Sequence, residues 1–588
     1  MNVMERIAAA SLLLAALAAT PLATIAQEAS DPPHTLRLDW NRWHDYGELI
    51  QNMELMAETW PEFLTLSSLG KSWGGRDIMM MTINNPKTGP ELEKAGMYIE
   101  ANVHGNEIQG SEVSLYTIWY LMENYGRNDM ITRLVDERVF YIVPTVNPDG
   151  RQYFMEDTGS GARTGHFPVD NDNDGLFDED GPNDLNGNGI REQMRKYVPG
   201  EGTHRISHDD PRIMEVVPDG EKGDWILLGS EGIDDDGDGR VDEDGPGGYD
   251  PNRNWASDWQ PDYIQGGSLD YPFQLPAARA VNDFLVSRPN IAGVQSYHNS
   301  GGMILRGPGA EWQGEYPRED NLVYDELGRQ GERMLPYYEY MVIWSGLYTV
   351  HGGFIDWTND GLGIISFSNE LWNGGQYYNS PDLKEQQRDD DSPIAGQKGS
   401  YFFDDYLEFG GQYSEWKPFD HPTYGAVELG GWSKLRGRIP PRFMNEELSH
   451  RNMAFTLYQA DQMPRMAMHA PTVERVADDV YRVRVDIEND RVAPTITARA
   501  AQNNVVPPDL LLVSGRNVEV ISAGWVANKF RPDATELIDQ HNLSRIMIRN
   551  GHPGHTTRTI EYLLRGRGDV TIRYESTKGG DVQQTVRL

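Results

Sequence analysis

The chain has 588 residues, with 52 Lys plus Arg against 90 Asp plus Glu, a formal charge of −38, and no cysteine. Such an acidic balance argues against nucleic acid as a partner, because phosphate recognition needs a basic face. Without thiols there are no disulfides, no Cys nucleophile and no Cys-held zinc, so any metal must be held by His, Asp, Glu or backbone oxygen.

At the start, Arg6 precedes a largely apolar run over residues 7–19, then Pro21 and small residues ending at Ala26. This pattern predicts a secretory signal over residues 1–26. No later run approaches the about 18 apolar residues of a membrane helix. The mature protein is expected to be secreted or periplasmic, without stable membrane insertion.

Residues 27–468 alternate strand-like and helix-like segments. Strands are predicted over 97–103, 139–146, 291–297 and 363–367, and helices over 110–125 and 445–462. This order implies an α/β domain with a mixed, largely parallel sheet and helices on both faces. Beyond Pro471 the texture changes to short β-type runs between turn residues, which predicts an antiparallel β-sandwich over 469–588.

An acidic insertion is predicted over 155–248. Residues 170–182 recur as 234–246, and a third variant lies between them. Oxygen-bearing side chains at loop positions 1, 3, 5 and 9, with Gly at 6, suit a hard cation with six to eight oxygen ligands. The candidate calcium ligands are Asp170, Asp172, Asp174 and Asp178, then Asp184, Asn186 and Asn188, then Asp234, Asp236, Asp238 and Asp242. Position 12 is Gly181 or Gly245, not Glu, so these read as short calcium loops and not as complete EF-hands.

Outside that insertion, His104-Gly105-Asn106-Glu107 follows one predicted strand, His298 a second and Glu370 a third. Open α/β sheets place active sites at the carboxyl ends of their strands. Two His and one Glu with an open fourth position form a catalytic type of zinc set.

With these residues in hand, the chain from Trp43 to Gln462 resembles the zinc carboxypeptidases. The resemblance is carried by His104-Gly105-Asn106-Glu107, Asn147-Pro148-Asp149-Gly150, Asp250-Pro251-Asn252-Arg253-Asn254-Trp255, Ser296-Tyr297-His298, Gly352-Gly353-Phe354-Ile355-Asp356-Trp357 and Asn369-Glu370-Leu371. It implies that His104, Glu107 and His298 bind zinc and that Glu370 is the general base acting on a zinc-bound water. It also implies that Asn252 and Arg253 clamp the substrate carboxylate, that Tyr348 closes over it, and that Asp250 orients the first zinc histidine. Arg195, in Met194-Arg195-Lys196, resembles the family's oxyanion-stabilising arginine, with Arg191 as the fallback. Ile355 falls at a specificity position, where an apolar group favours an apolar or aromatic C-terminal residue.

Two departures stand out. Digestive-type members carry Arg where this chain has Asn106, and regulatory-type members carry Arg where it has Ser111, so one substrate-carbonyl contact is missing or replaced. The expected activity is hydrolysis of the C-terminal peptide bond of peptides or proteins. Alternatives are a peptidoglycan stem-peptide peptidase, an amide deacylase on the same scaffold, and a metal-stabilised binding protein without turnover.

Overall fold

The computed structural model describes residues 34–156, 163–171, 174–237, 239–242, 244–378, 395–528, 530–531 and 534–588. The predicted signal and the candidate ligands Asp172 and Asp238 lie outside the described residues. Asp45 caps the first described helix, Tyr46–Thr59, through a reciprocal bond with Glu48. The chain then forms β1 (Leu64–Lys71) and β2 (Asp77–Ile83), an antiparallel pair. β3 (Ala95–Ala101) and β4 (Arg138–Val143) are parallel and are linked by the helices Gln109–Asn124 and Asp129–Glu137.

The chain leaves this sheet as β5 (Gln193–Gly202), β6 (His204–Ile206), β7 (Met214–Val216) and β8 (Gly223–Ser230). It returns as β9 (Ile291–Asn299), β10 (Met303–Arg306), β11 (Glu339–Val342) and β12 (Ile365–Leu371). It leaves again as β13 (Tyr413–His421) and β14 (Gly425–Trp432), and the helix Asn445–Asp461 follows. The eight-stranded sheet has the order β1-β2-β4-β3-β9-β12-β10-β11. Its four central strands, β4, β3, β9 and β12, are all parallel to one another.

Every residue of β3, β4 and β9 is buried. That is the expected state of a parallel sheet covered on both faces, and it explains why these strands read as apolar runs without clean alternation. One face packs Tyr98 and Val294 against Ala278 and Val281 of the helix Pro276–Ser287. On the other face, Ile365 and Phe367 meet Tyr324 and Phe455, from the helices Arg318–Met334 and Asn445–Asp461. β9 and β12 run past their predicted ends, so His298 and Glu370 are strand residues.

Residues 155–248 are not loop alone. β5 to β8 join β13 and β14 in a six-stranded sheet of order β13-β14-β5-β8-β6-β7, closed by the pairing of Glu428 with Arg195. The two long acidic copies meet at an antiparallel bridge between Asp180 and Asp244, which occupy equivalent repeat positions. The Asn171 N–H donates to Asp244, and the Asp235 N–H donates to Asp180. The copies are therefore paired about a local pseudo-twofold axis.

The C-terminal strands are β15 (Met466–Met468), β16 (Thr472–Ala477), β17 (Val480–Asn489), β18 (Asp509–Gly515), β19 (Val518–Val526), β20 (Thr535–Leu537), β21 (Arg545–Ile548), β22 (Thr556–Gly566), β23 (Asp569–Glu575) and β24 (Val582–Arg587). They form two antiparallel sheets, β15-β17-β22-β19-β20 with β16 on β17, and β21-β18-β23-β24. Val485 and Ile560 of one sheet share a core with Leu511 and Ile572 of the other, which makes a sandwich. Asp39–Leu588 is one compact unit. Within it, Asp320 accepts the N–H groups of Ala498 and Arg499, tying the helix Arg318–Met334 to the helix Ala498–Asn503.

Candidate metal centre

His104 and Glu107 lie on the turn that follows β3. The turn is tight because glycine faces glycine: a Cβ on Gly105 would come within 2.6 Å of the Gly150 backbone. On β9 and β12, residues 298 and 370 are register partners on adjacent parallel strands, so both side chains stand on the same face of the sheet. The turn brings two further groups to that face.

His104 Nδ1, His298 Nδ1 and Glu107 Oε2 converge. The two nitrogens are 3.1 Å apart, and the carboxylate oxygen lies 3.0 Å from His104 and 2.9 Å from His298. All three side chains are buried. The other nitrogen of His104 lies 2.8 Å from Asp250 Oδ1. That contact puts the Nε2 proton on the carboxylate side and turns the Nδ1 lone pair toward the cluster. His298 Nε2 is backed by Ser296 Oγ at 3.2 Å. Two imidazole nitrogens and one carboxylate directed at a single point fit a zinc ion with a free coordination position.

Charge sets the state of each group. Burial alone pushes the Glu107 carboxyl up, but His104 and His298 outweigh it and hold it well below the usual carboxylate range. Burial opposes charging of His104, yet Glu107 and Asp250 raise it. Asp250 is held well below its ordinary value, against the cost of burial, by His104, Arg253 and Arg163. Glu370 differs. Burial, then the nearby Glu107 carboxylate, pushes it up to about 7, while His298, Arg163 and Arg438 pull the other way. A carboxyl near 7 suits proton transfer at neutral pH.

Beside the cluster is a cavity lined by Asn252, Arg253, Tyr348, Ile355 and Glu370, with Leu305, Ile343 and Leu347 supplying apolar wall. Asp250 caps the turn Pro251–Arg253 and places Asn252 and Arg253 there. The Arg253 guanidinium lies 6.0 Å from the Tyr348 ring, and Tyr348 is half exposed.

Arg195 requires correction. It sits on β5 with its guanidinium between the rings of Trp225 and Trp416, 4.4 Å from each, and pairs with Glu428 at 2.7 Å. It does not line the cavity. The fallback, Arg191, pairs with Asp242 in the acidic region. Arg163 reaches the cluster instead, donating from Nη1 to Glu107 Oε1 at 2.9 Å and approaching Asp250 at 3.3 Å. Its own carbonyl accepts the Gly105 N–H at 2.8 Å, which ties this segment to the metal-site turn. Arg163 stands in no motif, so only this tertiary contact identifies it.

In the acidic region, Asp174, Glu179 and Asp236 bring carboxylate oxygens within 4.8 Å of one another, joining the two long copies. Glu179 was not among the sequence candidates. The other candidates are not in that cluster: Asp170 accepts the Gly175 N–H, Asp234 accepts those of Gly237 and Gly239, and Asp242 pairs with Arg191. The Asp184 carboxylate accepts the N–H groups of Gly187, Asn188 and Gly189, and the Asn186 and Asn188 side chains accept N–H groups of the same turn.

A family model described as zinc carboxypeptidase matches residues 49–201 and 213–390, and a model for a domain of unknown function matches 465–587. Carboxypeptidase D from Mus musculus is 34% identical over 125 residues, which is 21% of this chain and 9% of that protein. A zinc carboxypeptidase from Saccharothrix mutabilis subsp. capreolus is 33% identical over 118 residues, 20% of this chain and 27% of that one. These matches thus span less than a third of each relative. Among solved structures, carboxypeptidase A from Helicoverpa armigera aligns with 18% identity over 63% of this chain and 72% of its own, at a TM-score of 0.38. Bovine thrombin-activatable fibrinolysis inhibitor, in complex with tick carboxypeptidase inhibitor, aligns with 16% identity over 72% and 97%, at a TM-score of 0.42.

Proposed function

The chain belongs to the zinc carboxypeptidase family, and from that membership and the geometry above we propose that it removes the C-terminal residue of peptides or proteins. The observation that carries this reading is Glu370 standing across from His298 on neighbouring parallel strands, beside three converging ligand atoms.

His104, Glu107 and His298 would hold the zinc. Bound there, zinc supplies Lewis acidity that makes hydroxide available near neutral pH and polarises the scissile carbonyl. Asp250 holds His104 in the tautomer that presents Nδ1. Glu370 accepts a proton from the attacking water and returns it to the leaving amine. Arg163, held against Glu107 and Asp250, supplies the fixed positive charge for the developing oxyanion. Arg253 and Asn252 take the terminal carboxylate, a task suited to a guanidinium fork, and Tyr348 closes over it. Leu305, Ile343, Leu347 and Ile355 form an apolar wall, which favours an apolar or aromatic C-terminal residue.

The test is Glu370→Gln. C-terminal release from a defined peptide, followed by mass spectrometry, is expected to fall by about 10²- to 10⁴-fold, while metal analysis still finds one zinc per chain. Undiminished release would remove Glu370 from this role. A wild-type protein that binds peptides without cleaving them would favour the binding-protein alternative.

Two further parts of the proposal lie outside the site. The pattern over residues 1–26 supports export, which N-terminal sequencing of the mature protein tests. Among the described residues, no helix is long and apolar enough to cross a membrane. The paired acidic repeats support structural calcium. Asp244 is buried, and its Oδ2, together with Asp178 Oδ1 and both carboxylate oxygens of Glu179, has no hydrogen-bond partner. Buried carboxylate oxygens without donors are costly unless a cation meets them.

A further inference from the structure

Positions 106 and 111 carry Asn and Ser, while a guanidinium from a distant segment reaches the same turn. Arg438 lies in the segment that follows β14, more than 300 residues after Glu107. Its Nη1 donates to the Asn299 carbonyl at 2.8 Å, one residue beyond the zinc-binding His298, and comes within 3.7 Å of Glu107 Oε1. That distance is too long for a hydrogen bond, and Arg163 already donates to the same oxygen at 2.9 Å. Neutralising Glu107 is therefore not a sufficient account of Arg438. A guanidinium has five N–H donors, and among the described residues the Asn299 carbonyl is the only hydrogen-bond acceptor Arg438 meets. Its side chain is 36% exposed.

The segment is anchored, so the group is held in place. Ile439 is buried in a small cluster with Trp43, Ile108 and Phe154, and Ile108 directly follows Glu107. The Ser300 hydroxyl donates to the Gly437 carbonyl at 3.3 Å. Arg438 is thus fixed between the metal-site turn and the end of β9.

Its side of the cluster also matters. The cavity that holds Arg253, Tyr348 and the apolar wall does not include Arg438. Arg438 stands outside that cavity yet beside the cluster, and its partly exposed guanidinium can be reached by a part of a bound peptide that lies beyond the cavity.

We propose that Arg438 is a substrate-binding residue that donates to the main-chain carbonyl one residue upstream of the scissile bond. The inference rests on the carboxypeptidase reading above. It gives the segment that follows β14 a part in substrate binding and accounts for Asn106 and Ser111 standing where relatives carry Arg.

The experiment uses the full-length, zinc-loaded protein and two blocked dipeptides with the same C-terminal residue. One carries an upstream carbonyl in its blocking group, and the other has a methylene there. Arg438→Ala is expected to lower kcat/KM about 10- to 100-fold on the first, as for loss of one charge-assisted hydrogen bond. On the second it is expected to change little. Arg438→Lys should recover part of the loss on the carbonyl substrate alone.

An equal loss on both substrates, or a fall in zinc content, would overturn the proposal and assign Arg438 to support of Glu107. If Arg438→Ala does not fold, Arg438→Gln gives the same comparison without deleting the side-chain stem. If the wild type releases no C-terminal residue from either substrate, the carboxypeptidase reading has failed instead.

Discussion

Arg163 and Arg195 carry the same charge, and their surroundings decide what each can do. Arg163 lies against Glu107 and Asp250 and adds positive potential at Glu370. Arg195 is spent between two indole rings and Glu428. Arg163→Ala is therefore expected to reduce kcat by about 10²- to 10³-fold, the usual cost of one oxyanion donor. Arg195→Ala should leave kcat near wild type while destabilising the six-stranded sheet by about 1–3 kcal/mol, because Glu428 loses its partner. Steady-state kinetics and thermal unfolding on both variants check this, and the reverse pattern would restore Arg195 to the site. A pH profile adds a second reading. As the proposed base, Glu370 has to be ionised to accept a proton, so activity is expected to fall as pH drops through its pKa, pushed up to about 7 by burial and Glu107. A bound cation lowers that value. Removing the Arg163 charge raises it, so the acid limb of Arg163→Ala should lie at higher pH than that of the wild type.

At the scale of elements, the acidic repeats show how far periodic spelling carries. Their internal spacing is visible in the one-dimensional order, and it suggests loops that each bind alone. In three dimensions the two long copies pair through Asp180 and Asp244, and one carboxylate cluster takes Asp174 and Glu179 from the first copy and Asp236 from the second. Spacing marks which residues of a loop carry oxygen, whereas a pairing between loops depends on chain paths that spacing does not encode. Clustered carboxylates repel in the absence of a cation. Calcium at 100 times its Kd should therefore stabilise this region by about 2.7 kcal/mol. Thermal unfolding of zinc-loaded protein with calcium removed, and with it restored, measures the effect. An unfolding temperature insensitive to calcium would remove the ion from the account. The strands of the catalytic sheet show the same division. Their apolar cores were legible in β3, β4 and β9, but their ends were not, because His298 and Glu370 are polar residues kept in strand geometry by register with each other.

Across the whole molecule, the sandwich is joined to the catalytic sheet through buried polar contacts. Asp320 is fully buried and accepts two N–H groups at the start of the helix Ala498–Asn503, so a carboxylate from one layer caps a helix leading into the other. Arg138 donates in the same way to the carbonyls of Met463 and Pro464 where the chain passes into the sandwich. Asp320→Ala is expected to cost about 1–3 kcal/mol by leaving two partly buried N–H groups without their acceptor. Denaturant unfolding followed by intrinsic fluorescence tests it, and an unchanged midpoint would show that the cap does not hold the layers together. The amino-acid sequence by itself determined the layered α/β plan and the C-terminal sandwich, because apolar periodicity is written in consecutive residues, and its short motifs marked His104, Glu107, His298 and Glu370 as candidates at strand ends. Only the tertiary structure decided which arginines reach the site, that residues 193–230 and 413–432 share one sheet, and that the acidic copies face each other. Those outcomes depend on contacts between segments far apart along the chain, where no local spacing records which partner will arrive.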